Sequence, residues 1–454
     1  MIHRAMHAAT LIFLFAAISL ALALSGKPAA AAPLAQTKST RRPLEYRADA
    51  AEHLLIIQAP HRAPSAHAAV NTSMLVNFLA AGTYNSFGDA CQAWPAAAKT
   101  AFTAAADVWA ASLSFSVPLK TNACWTSLGA NILGHSGAVD YSVYQSGSVP
   151  GFWYPDGLAN ELARTDLNDH DKADWDGDGL DADAEIDVAL SSNFGWYTGT
   201  DGLVPSGKYD MESVVLHELG HGLGFLGWMN DSGGQGSWGY GSSFAGIFDR
   251  YTRDQSGQSL INIGIFQNPS VALGSQLTGG NLYFDGAHTR AANGGNPARL
   301  YAPSIWNPGS SYSHLDEIYN GSPNALMTYS LSTREAIHDP GPIMLGVLQD
   351  LGWTLPAAAP AQCYTLTINA NPSVAGSVAV STTPNCSGGY LDGTSLTLTA
   401  TPGSGYKFSG WVGCTGAAVP STQLTVDGNE NVTAIFTSAA GSGTSQVFLP
   451  VVVR

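Results

Sequence analysis

Residues 211–223 read Met-Glu-Ser-Val-Val-Leu-His-Glu-Leu-Gly-His-Gly-Leu. Val214, Val215, Leu216, Leu219 and Leu223 give the stretch the apolar content of a core helix. Within it His217 and His221 stand four apart, so on a helix both imidazoles share one face and can grip one ion. Glu218 stands beside them, positioned to act on a water at the ion rather than on the ion itself. The bland reading, two ordinary histidines and a solvated glutamate, leaves the apolar setting of all three unexplained.

A catalytic zinc takes three protein ligands and keeps one position for water. The compact version of such a site needs a third His where this chain has Gly227. A glutamate third ligand fails as well, because no Glu occurs between Glu218 and Glu317. Spacing and residue type alone leave His288, His314 and His338, or an Asp.

Outward from the motif, Pro95 to Leu113 is expected to be a helix, with Phe102, Ala106, Trp109 and Leu113 on one face. Met74–Phe78 and Ile186–Leu190 are expected strands, and Pro342–Leu351 a last helix that ends at Gly352-Trp353. A Gly- and Asn-rich stretch reaches from the motif to about Ser313.

The run His217-Glu218-Leu219-Gly220-His221-Gly222-Leu223-Gly224-Phe225 resembles the leishmanolysin family of metzincins. So does the order that follows: Ser313-His314-Leu315-Asp316, then Asn324-Ala325-Leu326-Met327-Thr328, then Asp350-Leu351-Gly352-Trp353. The likeness covers roughly residues 72–356. It implies an α+β catalytic domain: a mixed sheet, an active-site helix, and a long insertion before the third ligand, here 92 residues (222 to 313). It implies zinc on His217, His221 and His314, with Met327 as an apolar floor beneath them. Tyr329, two residues after the Met, is a candidate for oxyanion support. The chemistry expected of such a site is peptide hydrolysis in proteins. Zinc lowers the pKa of its water to about 7, and Glu218 takes the proton as general base.

Asp174-Trp175-Asp176-Gly177-Asp178-Gly179-Leu180-Asp181-Ala182-Asp183-Ala184-Glu185 fits the twelve-residue calcium loop. Asp174, Asp176, Asp178, the Leu180 carbonyl and Glu185 would supply the oxygens of a structural Ca2+. Position eight is Asp181 rather than apolar, and a strand instead of a helix is expected to follow. Seven Asp between Asp169 and Asp183 would repel one another without a cation.

Beyond a linker at 357–362, short alternating strands mark a small all-β domain at 363–437. Gly393-Thr394, Leu396 to Pro402, Gly405-Tyr406-Lys407-Phe408 and Gly410-Trp411 resemble the divergent internalin-type β repeat found beside many secreted bacterial enzymes. That likeness implies adhesion to a cell surface or glycan, or else a spacer. Residues 438–454 read as a flexible tail with an apolar end at Val447–Val453.

At the other end, His3 and Arg4 precede an apolar run from about Ala8 to Leu24 and the small residues Ala29–Ala32. This is the order of a secretory signal peptide, taken as 1–32, and it implies an extracellular protein with no membrane span after cleavage. Residues 33–71, rich in Ala, Pro, His and Arg, are expected to be a propeptide or disordered leader. In an exported chain the five Cys read as disulfide partners. Cys91–Cys124 would enclose the Pro95 helix; Cys363–Cys386 is expected in the small domain, with Cys386–Cys414 as its competitor. Only 12% of residues are charged and the net charge is −15, which argues against nucleic acid as a partner. A non-catalytic adhesin with a protease-like domain is the rival from another class. A zinc hydrolase acting on a non-peptide substrate is a third.

Overall fold

The computed structural model describes residues 44–57, 73–143, 148–167, 184–356, 362–391, 393–413, 419–426 and 428–439. The expected signal peptide, the calcium loop up to Asp183, residues 357–361 of the linker, Cys414 and the tail from residue 440 lie outside the described residues.

The architecture is α+β, mostly strands with few helices, and all-β beyond residue 362. Six strands form the main sheet: β1 (Leu44–Ile57), β2 (Met74–Phe78), β3 (Leu119–Thr126), β4 (Ile132–Ala138), β5 (Ile186–Ser191) and β6 (Ser330–Ile337). Their spatial order is β6-β1-β4-β5-β3-β2. β4 runs antiparallel to both of its neighbours, while the other pairings are parallel. β5 is buried along its whole length, as an inner strand covered on both faces must be.

Helix α1 (Ala96–Ser112) starts behind Pro95, whose fixed φ suits a helix start. Its expected face, Phe102, Ala106, Trp109 and the following Leu113, is buried. That face meets α2 (Met211–Gly222), where the Trp109 indole N–H donates to the Leu216 carbonyl at 2.9 Å. All twelve residues of α2 are buried. Asp210 caps its first turn, accepting from the Ser213 N–H at 2.8 Å. The chain leaves α2 through Gly224 at φ +120°, a conformation that L side chains rarely adopt. A third helix, α3 (Pro342–Leu351), ends at Gly352, and Trp353 then donates its indole N–H to the Leu223 carbonyl at 2.8 Å.

One expectation is corrected: the disorder allowed for residues 33–71 does not hold at 44–57. Residues 44–57 of the expected propeptide or disordered leader form β1, the second strand of the main sheet. The ladder to β4 and β6 supplies the order that local sequence pattern lacks. The Gly- and Asn-rich stretch is also ordered, into short hairpins and helices. In one of them Gly233 and Gly234, at φ +63° and +82°, make the tight turn between paired strands Met229–Ser232 and Gln235–Trp238.

The disulfides Cys91–Cys124 and Cys363–Cys386 are both formed. The C-terminal part builds two three-stranded sheets. One holds β7 (Leu366–Asn371), β12 (Glu430–Ser438) and β10 (Tyr406–Val412). The other holds β8 (Gly376–Val380), β9 (Thr394–Pro402) and β11 (Ser421–Val426). Leu398, Ala400, Trp411, Val432, Ala434 and Phe436 pack in its core. The last strand reaches Ser438, one residue past the expected boundary.

Candidate metal centre

Four residues apart on α2, His217 and His221 present their rings to the same side, and His314 reaches them from the far end of the insertion. The three Nε2 atoms lie 3.0 Å (217–221), 3.2 Å (217–314) and 3.2 Å (221–314) apart. Among the described residues these three are the one group of His, Cys, Asp or Glu close enough to share an ion.

The opposite nitrogens decide the protonation. His217 Nδ1 lies 2.6 Å from the Leu326 carbonyl, His221 Nδ1 2.8 Å from that of Phe225, and His314 Nδ1 2.7 Å from that of Ser310. A carbonyl only accepts, so each Nδ1 carries the proton and each Nε2 turns a bare lone pair inward. Burial favours the neutral form of two of them: it holds His217 well below the ordinary histidine range and brings His314 down to about 3. Three converging lone pairs repel one another unless a cation sits among them. Tetrahedral zinc with bonds of about 2.0–2.1 Å would space such nitrogens by roughly 3.3 Å. The donor set therefore fits zinc, and carbonyls that fix each ring are the usual outer support of such ligands.

Glu218 is fully buried beside the rings. Ser136 of β4 donates its hydroxyl toward the Glu218 carbonyl at 2.7 Å and toward Oε2 at 2.8 Å. The other oxygen, Oε1, faces Gly134 so closely that a Cβ there would sit 2.9 Å from it. Met327 is fully buried below α2, and a Cβ on Gly220 would come within 2.9 Å of its sulfur. The Gly in the motif is thus the space that Met327 fills. Gly227, where a compact site needs its third His, is packed against Tyr312, whose ring would overlap any side chain there.

The other candidates lie elsewhere. His288 is exposed on the short helix Ala287–Ala292. His338 is buried between Asp210 at 2.7 Å and Glu212 at 3.7 Å, near the start of α2. Tyr329 stacks on Tyr301 with ring centroids 4.3 Å apart. Of the calcium candidates, Asp174, Asp176, Asp178 and Leu180 lie outside the described residues. Glu185 is buried and accepts from the Lys120 N–H at 2.6 Å and from the Asn160 amide at 3.1 Å. Burial pushes its carboxyl up to about 8. Sequence reading missed Ser136 and the three carbonyl partners. A lone serine on a strand carries no signal, and backbone acceptors carry none at all.

Beyond the linker, the alternating strands, the Gly turns and the Trp411 core described above belong to one recognisable module. Residues 364–440 match the divergent InlB B-repeat domain. The InlB-type repeat accounts for β7 to β12 and for the boundary expected near residue 363. No curated protein and no solved structure matches the chain. Among the described residues no helix is long and apolar enough to cross a membrane.

Proposed function

We propose that this protein is a secreted zinc metalloendopeptidase whose catalytic domain, residues 72–356, is a leishmanolysin-like metzincin. The convergence of three neutral imidazole nitrogens on one point, with Glu218 beside them, carries the reading. His217, His221 and His314 would hold the ion. When bound, zinc supplies Lewis acidity and a water whose pKa falls to about 7.

Glu218 would serve as the base that takes a proton from an attacking water and returns it to the leaving amine of a peptide. Ser136, donating toward Oε2, holds the carboxylate in one orientation and leaves Oε1 as the oxygen that moves the proton. Met327 braces α2 from below, so the two histidines of one helix stay in register with His314. Tyr329 is retained as a candidate for oxyanion support, although its ring rests on Tyr301. A structural Ca2+ at Asp174–Glu185 is part of the same proposal.

Glu218→Gln tests the mechanism. Zinc content should stay at one per chain, while casein cleavage falls by roughly 10² to 10⁴. Near wild-type turnover would refute it. The InlB-type repeat supports a second activity, attachment to a cell surface or glycan. It also supports the rival in which the chain is an adhesin and its protease-like domain is spent. Zinc content together with casein cleavage separates that rival, and a non-peptide hydrolase, from the peptidase.

A further inference from the structure

One helix carries His217 and His221, so their spacing is fixed by α2 itself. His314 has no such support: residues 311–314 belong to neither helix nor strand. Three lone pairs turned toward one point repel one another until a cation joins them. The metal-free fold therefore has to press His314 against α2 by contacts made outside the centre.

Those contacts meet at a short turn of the insertion, Phe248–Tyr251. Its Asp249 is fully buried. Asp249 Oδ1 accepts from the Trp228 N–H at 2.7 Å, on the chain leaving α2, and from the hydroxyl of Tyr312, two residues before His314. Asp249 Oδ2 accepts from the Gly246 N–H at 2.9 Å, which fixes the plane of the carboxylate. The Thr252 hydroxyl donates to the Asp249 carbonyl at 2.8 Å and closes the turn. Beside it, the Phe248 ring lies 5.2 Å from that of Phe225, whose carbonyl fixes His221, and 5.8 Å from that of Tyr312. Gly227 then donates its N–H to Ser313 Oγ at 3.0 Å. Tyr312 donates its N–H to the Tyr301 carbonyl at 2.7 Å, and Tyr301 donates its own to the His314 carbonyl at 2.9 Å.

One carboxylate oxygen thus joins the segment that orients His221 to the segment that carries His314. An ionised carboxylate only accepts, so it can take all three donors at once, and bonds to a charged acceptor are the stronger kind. A carboxamide of the same shape would turn its own N–H groups toward at least one of those donors. We propose that Asp249 is the positioning residue of the metal centre. Through Trp228 and Tyr312 it sets the distance of His314 from α2, and with it the affinity and ligand geometry of the three-imidazole site. Asp249 touches neither the imidazoles' inward nitrogens nor Glu218 in this role; it acts through the chain on either side of them. The inference rests on the zinc reading above. It gives the insertion a task beyond connection, because the turn that holds both ligand-bearing segments belongs to it.

The test uses the full chain and two substitutions. Tyr312→Phe keeps the ring against Gly227 and Phe248 and removes only the hydroxyl. Asp249→Asn keeps the shape and removes the charge. Chelator competition reads zinc affinity, and the visible spectrum of the cobalt-loaded protein reads ligand geometry. Amide exchange of Gly227 and Tyr301 in the metal-free protein reads the joint itself. Tyr312→Phe should weaken zinc binding by about 10-fold, the share of one hydrogen bond to a charged acceptor. It should also shift the cobalt bands and speed both amides by about 10-fold with α1 unchanged. Asp249→Asn should move each readout further; if it fails to fold, Tyr312→Phe decides alone. Double Ser replacement of Cys91 and Cys124 weakens the fold elsewhere and should leave zinc affinity and the cobalt spectrum as they are. If the wild-type chain takes up zinc and Tyr312→Phe binds it equally well with an unshifted cobalt spectrum, the joint is merely structural and the proposal is overturned, even where the two amides exchange faster. If the wild-type chain takes up neither metal, it is the zinc reading that falls, and the proposal falls with it.

Discussion

Replacing His314 by Ala tests the proposed centre most directly, because this residue lies 97 residues from His217 in sequence yet 3.2 Å from it in space. Two separate losses follow. Structural zinc binding is worth roughly 10–16 kcal/mol over four ligands, so one imidazole accounts for about 3 kcal/mol. At 1.4 kcal/mol per decade, that is a zinc affinity weaker by about 10²-fold. The change also removes the N–H that the buried Ser310 carbonyl receives at 2.7 Å, costing about 1–3 kcal/mol of fold stability. His288→Ala and His338→Ala are the controls. His288 is exposed, so its loss should shift stability by no more than about 0.5 kcal/mol. His338 lies on the cap of α2, so its loss should lower the melting temperature and leave zinc stoichiometry intact. Competition with a chromogenic chelator gives the affinity, and urea unfolding of the zinc-free protein gives the stability. A His314→Ala protein that binds zinc within threefold of wild type would refute the assignment, the more so if His288→Ala lost the metal.

Gly220→Val places a branched side chain where Met327 and Met344 leave room for none, and it should cost about 1–3 kcal/mol while weakening zinc binding through the tilt of α2; equal affinity would count against Met327 as a brace. Removing the Cys91–Cys124 bridge by double Ser replacement opens a loop of 33 residues and should lower stability by about 3–4 kcal/mol, read by urea unfolding without reductant. Burial pushes Glu185 up to about 8 and both Asp156 and Glu212 up to about 7. Unfolded carboxyls have already ionised near pH 4, so the unfolded state binds fewer protons and stability falls as pH rises through these values. The calcium-free protein should therefore melt at a lower temperature at pH 8.5 than at pH 6.5, and Glu185→Gln should flatten the slope. Millimolar calcium should flatten it in the wild type if Glu185 is a ligand; an unchanged slope would count against that role.

What could be read in the sequence was what is local. α2 and α1 carry their apolar helical pattern within twenty residues, and both form where expected. The InlB-type repeat is legible because its strands alternate and turn at short intervals. His314 is different: residue spacing left it level with His288 and His338, and only the likeness to a family put it first. It is 92 residues of chain (222 to 313), folded by turns and backbone hydrogen bonds, that bring it to α2. β1 was missed because its alternation, from Leu44 to Ala50, breaks at Ala50-Ala51 and sits in a stretch rich in Ala, Pro, His and Arg, and because both of its partners are remote in sequence. A strand ordered by its neighbours leaves little trace in its own composition.

Arg47 of β1 pairs with Ser330, 283 residues further on (330 − 47). Synthesis at about 5–20 residues per second separates these two positions by roughly 15–60 s. Throughout that interval the outer edge of β1 lacks its β6 partner, and the imidazole of His314, 97 residues after His217, joins the other two only near its end. Such long-range pairing is slow to form and cannot begin before its last strand exists. The outer ladder of the sheet and the three-imidazole cluster are therefore both completed late in synthesis, between residues 314 and 337, and neither can guide the folding of what precedes it.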